Sequence, residues 1–298
     1  MRTYSKKFWQ ESWFLLPLVC LLIALIGLTS FWGFGIGKPP VAVAIALDLS
    51  SSTYAQGGWL GNESTMTKEV QAVQAYLQEN SKTGFLEKPN DVLIFGFANS
   101  VEPLTTGFQS DSQQVQTELI QSVQNTSLPI RIGGGTNLDN ALQFGINSLE
   151  NAPNNYCREL LLVSDGDAPV DINISNNAIS RDITINGIIL GESAPDLQRT
   201  VNATGGLLLN GSVDSLDLLF VDEFFTYFNS NLKWIVFWSG LAWIFLWWTL
   251  VLPLDRTLQH FKVNMNVSGR FSLFLALFWT AFILSILLYI GLPFISKC

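Results

Sequence analysis

Two hydrophobic periods alternate through the middle of the chain, and long apolar stretches bracket them. Val41-Ala42-Val43-Ala44-Ile45-Ala46-Leu47 is an unbroken apolar run ending in Asp48. Such a run, bounded by polar residues, reads as a strand buried on both faces, as in a parallel sheet. Met66, Val70, Val73 and Leu77 follow at helical spacing, then 92–97 as a second strand and 101–108 as a short edge strand. Residues 112–124 place Val115, Leu119, Ile120 and Val123 on one helical face. Thr136 follows Gly133-Gly134-Gly135 and reads as the N-cap of a third helix, with Asp139 three positions on, much like a capping box. Residues 160–163, 183–190 and 207–209 read as further strands and 195–203 as a short helix. Leu216, Phe220 and Phe224 share one face of a last helix over 213–229. Strands alternating with helices predict an α/β domain, doubly wound around a mostly parallel sheet.

The apolar stretches predict three transmembrane helices, over 12–37, 233–254 and 271–296. Each reaches the roughly 20 residues that a hydrocarbon core demands. Nine of the ten tryptophans lie in or beside them, as interfacial anchoring predicts. Charged residues make up 13% of the chain, against about 25% in globular proteins. The first stretch ends in Phe31-Trp32-Gly33-Phe34, which favours a retained anchor over a cleaved leader. Arg2, Lys6 and Lys7 lie in 1–11, and Arg256, Lys262 and Arg270 in 255–270. The positive-inside rule therefore assigns both segments to the cytoplasm and 38–232 to the far side of the cytoplasmic membrane. That segment holds 22 acidic and 8 basic residues, a net charge of −14, which disfavours nucleic acid as a partner. No Asp, Glu, Arg or His stands inside a span, and Lys233 only opens the second, so an ion pathway is disfavoured too. Cys20, Cys157 and Cys298 are scattered and suggest no disulfide framework, with Cys157 read as an inert small residue.

Chemistry concentrates after the strands. Asp48-x-Ser50-x-Ser52 puts three oxygen ligands on one short loop. Thr136 follows a flexible glycine turn, and Asp165 follows the strand ending at Val163. Oxygen-only donors suit a hard divalent cation, Mg²⁺ first, with Mn²⁺ or Ca²⁺ as alternatives. Two carboxylates balance the ion's charge and leave it electrophilic enough to take a third carboxylate. The competing reading makes Ser50, Ser52 and Thr136 helix caps or turn formers. Asp167 reads as a solvated loop acid or an outer acceptor. The single histidine, His260, lies outside the acidic segment, so that segment has no Ser–His or Cys–His pair to activate a nucleophile. No enzyme is expected, and a metal-assisted phosphohydrolase lacks a basic residue near the motifs to hold phosphate. Trp59-Leu60 in the loop 53–65 reads either as an exposed partner anchor or as a residue pair folded back on its loop. Trp234, Trp238, Trp243, Trp247 and Trp248 form an aromatic stripe for another membrane protein or for lipid.

These five separated positions, in this order, resemble the von Willebrand factor A family over roughly 41–228. The resemblance implies a metal-ion-dependent adhesion site at Asp48, Ser50, Ser52, Thr136 and Asp165. It implies a divalent cation whose vacant position accepts an acidic side chain from a protein partner. Ser164 stands where threonine is usual, and a long loop follows Ser52. The three-span layout is similar to bacterial membrane-anchored members, including those of aerotolerance operons. The resulting expectation is assembly or scaffolding of a membrane or envelope complex. A structural subunit without metal-dependent activity is the rival.

Overall fold

The computed structural model describes residues 11–55, 57–82, 88–165, 168–191 and 193–294. Residues 1–10 of the expected cytoplasmic N-terminus and Asp167 lie outside the described residues. The chain divides into two compact units, Pro39–Asn229 and the pair of segments Met1–Lys38 and Ser230–Cys298.

In the first unit, six strands form one sheet: β1 (Val41–Asp48), β2 (Asp91–Phe97), β3 (Val101–Pro103), β4 (Cys157–Ser164), β5 (Ile183–Ile189) and β6 (Leu208–Asn210). Their order is β3-β2-β1-β4-β5-β6. Every neighbouring pair is parallel except β2–β3, which is antiparallel at the edge. All eight residues of β1 are buried. Val41, Val43, Ile45 and Leu47 enter one core, while Ala42, Ala44 and Ala46 enter the other. Large side chains meet α3 (Thr65–Ser81) on one face, and the alanines admit α6 (Leu138–Glu150) on the other.

The remaining helices of this unit are α2 (Ser51–Tyr54), α4 (Ser112–Val123), α5 (Leu128–Ile132), α7 (Ile172–Ser180) and α8 (Pro195–Thr204), α1 belonging to the other unit. Hydrophobic spacing does not announce α2, α5 or α7. The first two have one turn each, and α7 carries Asn and Ser at most positions, where helix propensity is low. The Asp171 side chain caps α7, and Ile174 and Ala178 are buried, so tertiary burial outweighs propensity there. The last helix exists with Leu216, Phe220 and Phe224 buried, but it is not uniform. Leu219–Phe225 is wound as a π-helix, a rare form in soluble domains. Cys157 at the start of β4 is disulfide-bonded, which corrects its reading as an inert thiol.

The second unit holds α1 (Ser12–Gly33) and the helices Leu232–His260 and Met265–Ile290, all long and apolar enough to cross a membrane. The loop expected over 255–270 shrinks to 261–264, because helix continues through the polar residues after Asp255. The Asp255 carboxylate accepts from Gln259 and Ser268, and Asn264 caps the third helix. The tryptophan stripe meets helices of the same chain. Trp234 stacks on Phe31 at 4.8 Å, and Trp247 stacks on Trp279 at 5.7 Å. Trp248 donates its indole N–H to Thr280 Oγ1 at 3.0 Å. Trp238 lies against Gly27, where a Cβ would come within 2.5 Å of the ring.

Candidate metal centre

The strand order reverses direction at β1 and β4, so their carboxyl ends flank a topological switch point, where open α/β sheets take ligands. Asp48 ends β1, and Ser164 ends β4 directly before Asp165. A chain of short contacts joins the two ends. Asp48 Oδ1 accepts the Ser50 N–H at 2.9 Å, and Asp48 Oδ2 accepts the Ser164 hydroxyl at 3.0 Å. Ser50 Oγ and Ser52 Oγ lie 2.9 Å apart, and the Ser52 hydroxyl donates to Asp165 Oδ1 at 3.0 Å. Asp48 and Ser50 are buried, Asp165 is half-buried and Ser52 is exposed. The cluster therefore opens to solvent at its serine end.

The third loop reaches the same rim through its backbone. Gly134 O accepts from both the N–H and the hydroxyl of Ser51, at 3.0 and 2.8 Å. The Asn137 N–H donates to Ala98 O, just beyond β2, at 2.9 Å. Gly133 has φ +76, and a Cβ on Gly135 would come within 2.2 Å of Asn99 Oδ1. The turn thus needs glycine to wrap over Asn99. Thr136 lies between these anchors, half-buried. Its hydroxyl is not part of the hydrogen-bonded chain of oxygens, and it does not cap α6. Asn137 caps that helix by accepting the Asn140 N–H, and Asp139 accepts the Asp171 N–H instead.

Trp59 is half-buried against Tyr54 and gives its indole N–H to Val123 O at 2.9 Å. Leu60 packs on the same core, with φ +58. Both residues pack on the domain's own core while keeping part of their surface exposed.

The sequence reading named Ser164 only as a departure from the usual threonine and passed over Glu69. Ser164 holds an Asp48 oxygen directly. Glu69, on α3, is fully buried and accepts the Asp48 N–H at 3.1 Å through Oε2. Its spacing from Met66 and Val73, on the apolar face of α3, was the available signal, since acids are almost never fully buried without a partner.

Burial pushes the Asp48 carboxyl up to about 6, against the opposing hydrogen bonds from Ser50 and Ser164, and repulsion from Asp165 adds to the rise. Burial, then the charges of Asp48 and Asp165, hold Glu69 well above the usual carboxylate range. Among the described residues no ion pair joins Lys or Arg to these acids. The donor set is oxygen only, negatively charged and without a protein cation. Such donors suit a hard divalent ion, and Thr136 and Asp165 lie on the same rim as Asp48, Ser50 and Ser52.

Residues 43–167 match the family described as von Willebrand factor type A domain, so the chain carries such a domain. Among solved structures, the chain is similar to an aerotolerance-related membrane protein from Bacteroides fragilis, with TM-score 0.47 and 16% identity over 61% of this chain and 98% of that one. It is also similar to BatB from Bacteroides thetaiotaomicron, with TM-score 0.46 and 16% identity over 68% and 98%. A third similar structure is proximal thread matrix protein 1 from the mussel byssus with a zinc-occupied MIDAS motif, with TM-score 0.44 and 16% identity over 61% and 46%. No curated protein matches the sequence.

Proposed function

We propose that the protein presents its von Willebrand factor A domain outside the cytoplasmic membrane and captures a protein partner through a divalent cation. Asp48, Ser50, Ser52, Thr136 and Asp165 hold the ion, Mg²⁺ by the chemistry of the donors. When bound, the cation supplies an electrophilic position for one acidic side chain of the partner. The observation that carries this reading is the run of hydrogen bonds from the Asp48 carboxylate through Ser50 and Ser52 to Asp165 at the switch point. It contains no histidine and no basic group, which disfavours hydrolytic chemistry. An acidic domain repels an acidic partner unless a cation stands between them.

Two features support the orientation. Basic residues flank the spans on the side opposite the domain. The Cys157 disulfide accords with an oxidising compartment. The role is assembly or scaffolding of a membrane or envelope complex. Affinity capture from detergent, with and without EDTA, tests it. Partners lost on chelation, restored by Mg²⁺ and absent for Asp48→Ala support the reading. Partners indifferent to EDTA leave a structural membrane subunit.

A further inference from the structure

We propose that Glu69 is a positioning residue of the cation centre, with its second carboxyl oxygen accepting a hydrogen bond from a water bound to the ion. The inference rests on the cation reading above.

Glu69 has no exposed surface. Its Oε2 accepts the Asp48 N–H, which ties α3 to the last residue of β1. Its Oε1 is buried with no hydrogen-bond partner. Native interiors rarely leave a carboxyl oxygen in that condition, and each such atom calls for an explanation. The helix face around it is apolar: Met66, Val70 and Val73 are all buried. A leucine at position 69 would satisfy packing alone. The acid therefore departs from the hydrophobic pattern, next to Asp48.

Direct ligation by Glu69 is not what the geometry offers. Among the described residues, no three His, Cys, Asp or Glu side chains converge as metal ligands. A small hard ion keeps several waters while binding one or two carboxylates. A water bound to the ion needs a partner within the protein, and Glu69 Oε1 is a buried carboxyl oxygen without a hydrogen-bond partner. The arrangement also fixes Asp48, since the same carboxyl grips its backbone.

The test uses full-length protein in detergent, with Mn²⁺ as probe. Binding is measured by calorimetry, and thermal unfolding is followed with Mn²⁺ and in EDTA. Glu69→Gln keeps a carbonyl oxygen for the Asp48 N–H but puts an N–H donor where Oε1 was. Expected is a loss of Mn²⁺ affinity of about 10–100-fold, the usual effect of an outer-sphere change. In EDTA the variant should unfold at the same temperature as wild type or higher, because repulsion among the three acids is relieved. A merely structural residue would lower stability in both conditions. Affinity within twofold of wild type in a folded variant overturns the proposal. Should Glu69→Gln not fold, Glu69→Ala is read by Mn²⁺ affinity alone, with the same loss of about 10–100-fold expected and the same overturning result, since its cavity lowers stability in either condition. Wild-type protein that binds no Mn²⁺ overturns the cation reading itself, and this inference with it.

Discussion

The Ser52 hydroxyl donates to Asp165 Oδ1 at 3.0 Å, although the two residues lie 113 positions apart. The bond closes the gap between the ends of β1 and β4, and it gathers the two acids and the serine hydroxyls into one group. Cation binding in place of these hydrogen bonds would relieve the repulsion that Asp48 and Asp165 now share.

Asp48→Asn should abolish stabilisation by Mn²⁺ while leaving the metal-free fold intact. The amide keeps an acceptor for Ser50 and removes a buried charge. In wild type, ligand at a hundred times Kd contributes about 2.7 kcal/mol. For a domain of this size that raises Tm by roughly 5–10 °C. Thermal unfolding with and without Mn²⁺ checks this, and a shift retained in the variant refutes the assignment of Asp48.

Ser164→Ala removes the donor that holds Asp48 Oδ2. The carboxylate then has freedom to turn, and Mn²⁺ affinity should fall by about tenfold, the lower end of outer-sphere effects. Calorimetry reads this directly. Unchanged affinity would show that the Ser50 contact alone suffices to orient Asp48.

Glu159 supplies a pH dependence separate from the metal centre. It is buried on β4, and its Oε2 accepts from Asn186 Nδ2 at 2.8 Å. Burial raises its carboxyl to about 8, with the Asn186 and Thr184 hydrogen bonds opposing. A group whose folded pKa exceeds its unfolded value stabilises fully below the unfolded value and loses that contribution as pH rises through the folded one. Stability should therefore decline between about pH 4.5 and 8. Glu159→Gln should flatten that decline and be the more stable form at pH 9. Denaturant titrations across this range test the sign.

Trp59→Phe deletes the indole bond to Val123 O and keeps an aromatic ring, though a smaller one. The expected loss is about 1 kcal/mol, with Mn²⁺ affinity unchanged. A variant as stable as wild type that loses partner capture would instead make Trp59 a contact residue.

Much of this domain was legible before any coordinates. β1 was legible because both faces of a central parallel strand are buried, and Val, Ile and Ala repeat without a polar break. Asp48, Ser50 and Ser52 were legible because they fall within five residues of its end. The helix α7 was not, because its Asn and Ser content masks two buried positions. The cap of α6 was misread by one residue, since Thr136 and Asn137 are both competent caps and only the backbone turn after Gly135 chooses Asn137. Glu69 was passed over because an acid at a core position looks like a solvated one until burial is known. The tryptophan stripe was visible, but not the Phe31, Trp279 and Thr280 that meet it.

By itself, the order of residues determined the three apolar helices, the alternating α/β pattern and which oxygen-bearing side chains follow the strands. Those follow from local periodicity and from how far a helix or strand reaches, which neighbours in sequence decide. Tertiary structure alone decided that β1 and β4 lie side by side, which brings Asp165 to Ser52 and sets Glu69 behind Asp48. Contacts across such separations depend on sheet order and on burial, and neither is encoded in any one stretch of the chain.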